Sequence, residues 1–183
     1  MTALASVAPR HRLVRLLVAL SVAAGLAMTA LLLVEGRWLP ALLGIVATLA
    51  AALAPLLRLP QALIGLVAVA SVVNSASIAW DWYTAWDPFD EWAHLVNPVV
   101  LVAPSMIWLH RARFVTARPA GPLFVAAATV YGLVLAVGWE VIESYIWVFP
   151  LSDTLSDVAL GVLGAAGGGW WGGRLIGPGD GAR

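Results

Sequence analysis

Residues 122–148 read PLFVAAATVYGLVLAVGWEVIESYIWV, an apolar run long enough to cross a bilayer as a helix, yet it carries Glu140 and Glu143 three residues apart near its end. A spanning helix needs about 17–25 predominantly apolar residues. A carboxylate inside such a segment is costly and usually functional. The run therefore decides the class of fold and raises the question of what holds two acids there.

Working outward, five more runs of similar length appear, at 13–34, 39–57, 61–80, 91–109 and 155–176. Turn-forming or charged punctuation separates them: EGRW before Pro40, RLP at 58–60, WDPFD at 86–90, RARFVTARPAGP at 111–122 and FPLSD at 149–153. The composition agrees, since 62% hydrophobic and 11% charged residues leave too little charge to cover a soluble surface. These features predict an all-α, polytopic membrane protein, a single domain over 1–183 built as a bundle of six transmembrane helices. The connections are too short to hold a soluble domain. The first run follows Arg10, Arg12 and Arg15 like a signal peptide, but its apolar core is longer than a signal sequence uses, which predicts a retained helix.

Several partners and chemistries are excluded at this level. The formal net charge is zero and the basic residues are scattered, so no nucleic acid is indicated. Without cysteine there is no disulfide, thiolate metal site or thiol nucleophile. No nucleophile elbow, phosphate-cradling loop or paired-histidine zinc-protease motif is present. His11 and His110, beside basic residues, are expected to be solvated. All ten basic residues are arginine, a skew we attribute to a GC-rich bacterial genome.

If the six helices alternate, every arginine except Arg37 falls on one side, which the positive-inside rule makes cytoplasmic, with both termini there. The acids fall oppositely: all but Asp180 lie toward the outer end. Trp38, Trp80, Trp82, Trp86, Trp92, Trp139 and Trp147 cluster at that boundary too, as an aromatic belt would.

The acids differ in how easily helix structure explains them. Asp87, Asp90 and Glu91 open the fourth helix, with Asp87 as a cap, and Asp153 and Asp157 open the sixth, where the helix dipole favours anions. Glu140 and Glu143 lie about 27 Å along their helix from Pro122, near the end that repels them. Asp90, His94 and Asn97 follow helical spacing on one face, Glu140 and Glu143 share another, and Asp153 and Asp157 share a third. That third face continues through Gly161, Gly164 and Gly168, which lets a neighbouring helix approach closely. If the faces converge, the carboxylates meet with His94 at the outer rim, where Arg37 is the one arginine. Some must then be protonated, reach water or bind a cation.

The motifs DEWAH (90–94), WEVIE (139–143) and DTLSDVALGVLG (153–164) resemble the VanZ-like membrane proteins and, more closely, the YjdF-type inner-membrane family of unknown function. The resemblance covers roughly the C-terminal half. It implies a multi-pass protein of the bacterial cytoplasmic membrane, with Asp90, His94, Glu140, Glu143, Asp153 and Asp157 as its functional residues.

Three function classes stand open. In the first, Asp90, His94, Asp153 and Asp157 bind a divalent metal, zinc or manganese ahead of magnesium or calcium because of the imidazole, and Glu140 or Glu143 is the catalytic base. The substrate would be a lipid, lipid-linked precursor or envelope component at the outer leaflet. The second class is a proton- or cation-coupled transporter, against which stands the lack of ionisable residues through the inner half of the helices; Asn74 is the deepest strongly polar group. The third is a non-catalytic scaffold subunit in which the acids hold helices in register. The arginine asymmetry makes a direct prediction: reporter fusions at Asp87 and Leu151 read outside, and those at Ala117 and Arg183 read inside. An inside signal at Leu151 would overturn the placement of the acids.

Overall fold

The computed structural model describes residues 7–146 and 150–177. Trp147, Asp180 and Arg183, assigned to membrane boundaries from sequence, lie outside the described residues. The chain is all-helical there: α1 Val7–Val34, α2 Trp38–Leu53 continued by a 3-10 turn Ala54–Leu57, α3 Gln61–Ala79, a one-turn α4 Trp82–Ala85, α5 Asp87–Arg111, α6 Pro122–Glu143 and α7 Leu151–Leu175. Five segments are long and apolar enough to cross a membrane: His11–Val34, Trp38–Leu57, Gln61–Ala79, Pro88–Arg111 and Pro122–Glu143. The protein is thus a multi-pass, all-α membrane protein. Helix α7 has the length, at 25 residues, but its glycines and acids dilute its hydropathy.

Side-chain exposure is inverted relative to a soluble helix. On α6, Val130, Val134, Val137 and Val141 form an exposed stripe at helical spacing, as lipid-facing residues do, while Ala128, Gly132, Ala136 and Glu143 are buried.

The helix ends depart from the apolar runs because hydropathy reports the solvent and helix boundaries report backbone hydrogen bonds. Helix α6 stops at Glu143, where the Tyr145 and Ile146 amides donate to the Ile142 and Glu143 carbonyls in a tighter turn, although the sequence stays apolar. Helix α7 starts after Pro150, so Asp153 stands in its first turn. At α5 the cap position is Trp86, in extended conformation with no side-chain capping bond, and not Asp87 as the sequence suggested.

The chain divides into two compact units, residues 1–83 and 84–183. In the first, α1, α2 and α3 pack mutually. A Cβ on Gly44 would stand 2.8 Å from the Thr29 hydroxyl, and the Thr48 hydroxyl donates to the Gly44 carbonyl at 2.7 Å, so small and hydroxylated residues bring α1 and α2 together. Arg37 donates to the carbonyls of Ile78 and Ala79 and pairs with Asp81. Asp81 has a left-handed backbone, φ 52°, held in place by that guanidinium. Asn74 accepts the Tyr83 hydroxyl at 3.0 Å.

In the second unit α7 packs on both α5 and α6. Its glycines set the register. A Cβ on Gly168 would stand 2.9 Å from the Val99 carbonyl oxygen, and one on Gly172 2.8 Å from that of Ala103; Gly164 faces Leu95 in the same way. The constant offset makes α5 and α7 parallel, with α7 Cα atoms against α5 carbonyls, where Cα–H···O contacts form. On the other side Gly161, Ala165 and Gly169 meet Ala136, Gly132 and Ala128, so α6 runs antiparallel. The first turns of α5 and α7 therefore lie beside the last turns of α6. Away from those turns, Val102, Met106, Phe124, Ala128 and Ala165 form the apolar core. His110 is half-buried: its ring bonds the Val115 carbonyl at 2.9 Å and stands edge-on to Phe124.

Gly168→Val should destabilise the protein by about 1–3 kcal/mol, because overpacking here pushes on backbone. Gly167→Ala, with nothing within 4 Å of the added carbon, should leave thermal stability in detergent unchanged. An unshifted melting temperature for Gly168→Val would contradict the α5–α7 register.

Candidate metal centre

The α5, α6 and α7 registers bring five of the six sequence-derived residues together around one ring. His94 stands on the second turn of α5, one turn beyond Asp90, and both are buried. Pro98, four residues on, has no N–H to donate to the His94 carbonyl, so the helix ladder is interrupted next to the ring. Glu143 and Asp157 are each 2% exposed, burial that carboxylates show only when paired or bound.

The two ring nitrogens face different partners. His94 Nε2 lies 3.4 Å from Asp90 Oδ1, 3.5 Å from Glu143 Oε2 and 4.0 Å from Asp157 Oδ2, whereas Nδ1 lies 3.6 Å from Glu140 Oε1. These separations exceed the roughly 2.7–3.2 Å of a hydrogen bond. In keeping with that, Asp90 Oδ1, His94 Nε2, Glu140 Oε1 and Glu143 Oε1 are buried without a hydrogen-bond partner. Buried polar atoms are ordinarily satisfied, so orphans concentrated at one point call for an unseen partner.

A metal ion fits the spacing. Bonds of about 2.0–2.2 Å in tetrahedral array place neighbouring ligand atoms about 3.3–3.5 Å apart, close to the distances from Nε2 to Asp90 and Glu143. Two triads have donor atoms all within 4.8 Å of one another: Asp90, His94 and Asp157, and His94, Glu140 and Glu143. The cluster is thus able to chelate a divalent ion.

Asp153 belongs to neither triad. It lies one turn nearer the start of α7 than Asp157, is partly exposed, and stands within electrostatic reach of Asp90, Glu91 and His94. One of its oxygens is also buried without a partner. Glu91 is exposed. Sequence spacing had grouped these acids correctly by helix face but could not say which nitrogen of His94 each would meet, because that depends on the ring's rotation.

The charge balance is one-sided. Arg37 is committed within the first unit to Asp81 and two carbonyls. In the second unit Arg174, at the far end of α7 from the acids, stacks over Trp170 at 5.3 Å. From 95 to 109 on α5, 122 to 139 on α6 and 158 to 173 on α7 there is no acidic, basic or histidine residue; the polar groups there are neutral, among them Asn97 and the Tyr131 hydroxyl facing Ser105 at 3.5 Å. No family model, curated protein or solved structure matches the chain.

Proposed function

We propose that the second unit is a divalent-metal centre facing the extracytoplasmic side, and that it serves hydrolysis of a lipid or lipid-linked envelope component. The observation that carries this reading is the convergence of Asp90, Glu140, Glu143 and Asp157 on the single imidazole of His94, with distances near those of a ligand shell. One imidazole among carboxylates suits zinc or manganese. An ion so held supplies Lewis acidity, polarising an ester or phosphoryl oxygen and activating water. Asp153, partly exposed and outside the triads, is the carboxylate placed to take up a proton at the mouth. The position of the acids at one end of α5, α6 and α7, near the polar–apolar boundary of these helices, suits a substrate whose scissile bond sits at the head-group level. The likeness of the three motifs to YjdF-type and VanZ-like proteins points to the same residues.

A transporter reading lacks charged stepping stones along α5, α6 and α7 beyond the cluster. A scaffold reading leaves the orphaned donor atoms without purpose, since buried unsatisfied groups weaken a bundle and do not hold it together.

Protein in lipid nanodiscs, dialysed against zinc or manganese, should retain about one ion per chain. Retention should fall as pH drops from about 8 to about 5, because carboxylates and imidazole must be deprotonated to ligate, so protons compete with the ion. His94→Ala and Asp157→Asn should weaken affinity by more than the roughly 10–100-fold that loss of an outer hydrogen-bonding partner costs. Asp81→Asn should change nothing. The loaded protein should release chelator-sensitive hydrolysis products from a mixed lipid extract. No retained ion would sink the metal centre, and a retained ion without turnover would sink the enzyme.

A further inference from the structure

Resting on the metal-centre reading, we infer that Glu140 is a positioning residue: it holds the proton of His94 on Nδ1 and thereby keeps Nε2 free to ligate the ion. Neutral imidazole carries one N–H and one lone pair, and whichever nitrogen is given a proton acceptor leaves the other available to a metal. At this ring the two sides are unequal. Asp90, Glu143 and Asp157 all face Nε2, while Glu140 alone faces Nδ1, at 3.6 Å. Asp90 and Asp157 form a donor triad with the ring on the Nε2 side; one acid at the opposite nitrogen is placed to serve as a hydrogen-bond acceptor. Metal-ligating histidines commonly donate their second N–H to a carboxylate in this way. The 3.6 Å gap is longer than a hydrogen bond, and a small side-chain adjustment would close it.

The orientation of the ring distinguishes Glu140 from Glu143. On α6 the two are three residues apart, so they share a face but differ by nearly one turn in height. Antiparallel to α7, Glu140 is level with Asp157, and Thr154 lies beside it. The imidazole, reaching across from α5, turns Nδ1 toward Glu140 and Nε2 toward Glu143 and Asp157. This gives Glu140 a positioning role in place of the catalytic base that the sequence suggested.

The test is nitrogen-15 NMR of histidine-labelled protein substituted with cadmium-113, with the His94 signals identified by their loss in His94→Ala. Cadmium coupling through Nε2 with a protonated Nδ1 is the expected result; coupling through Nδ1 overturns the inference. Glu140→Gln, which still accepts a hydrogen bond through its amide oxygen, should bind one ion with affinity reduced by less than Glu140→Ala, whose loss should be about 10–100-fold. Loss of the ion in Glu140→Gln as complete as in Asp157→Asn would make Glu140 a ligand and also overturn it. If the wild type takes up no ion, the metal-centre reading fails on its own. The ring in that protein, at a pH where it is neutral, then decides the positioning role: Nδ1–H supports it and Nε2–H ends it. Should either variant fail to fold, the wild-type coupling pattern decides alone.

Discussion

Negative charge gathered on one imidazole inside an apolar helical unit is the constraint from which the rest follows. Asp90, Glu140, Glu143 and Asp157 all lie within 4.0 Å of a His94 nitrogen, in surroundings where removing even one unpaired carboxylate from water costs several kcal/mol. A proton on the ring supplies one positive charge. Carboxylates at this separation need more than that, or must give up their own charge. A divalent cation satisfies the charge and the orphaned donor atoms together.

The glycines of α7 make that convergence possible. Side chains at Gly164, Gly168 and Gly172 would push α7 away from the α5 carbonyls, and the same helix meets α6 through Gly161, Ala165 and Gly169. Close approach brings two helix N-termini and one C-terminus to the same place. The dipoles of α5 and α7 favour the acids Asp90 and Asp157, whereas that of α6 opposes Glu140 and Glu143. The two groups thus differ in cost, and the more expensive pair is the one that helix structure alone leaves unexplained.

Much of this was legible in the sequence, for identifiable reasons. Apolar runs reported the helices because a bilayer sets their length, and helical spacing placed Asp90 with His94, Glu140 with Glu143, and Asp153 with Asp157. The glycine stripe announced the close packing of α7. What spacing could not supply was the height of one helix against another. Asp153 and Asp157 share a face, yet only Asp157 belongs to a triad with Asp90 and His94, a distinction that spacing within one helix does not carry. Which ring nitrogen Glu140 and Glu143 each meet was likewise invisible, since it depends on the orientation of the His94 ring. The contacts of half-buried His110 with Phe124 and the Val115 carbonyl were not legible from its basic neighbours in sequence.

X-ray absorption at the zinc edge of zinc-loaded protein bears most directly on the central claim that one cation completes this cluster. The account predicts a shell of one imidazole nitrogen and carboxylate oxygens at about 2.0–2.2 Å, with the imidazole contribution lost in His94→Ala. An all-oxygen shell unaffected by that substitution, or protein that releases its zinc on simple dialysis, would contradict it.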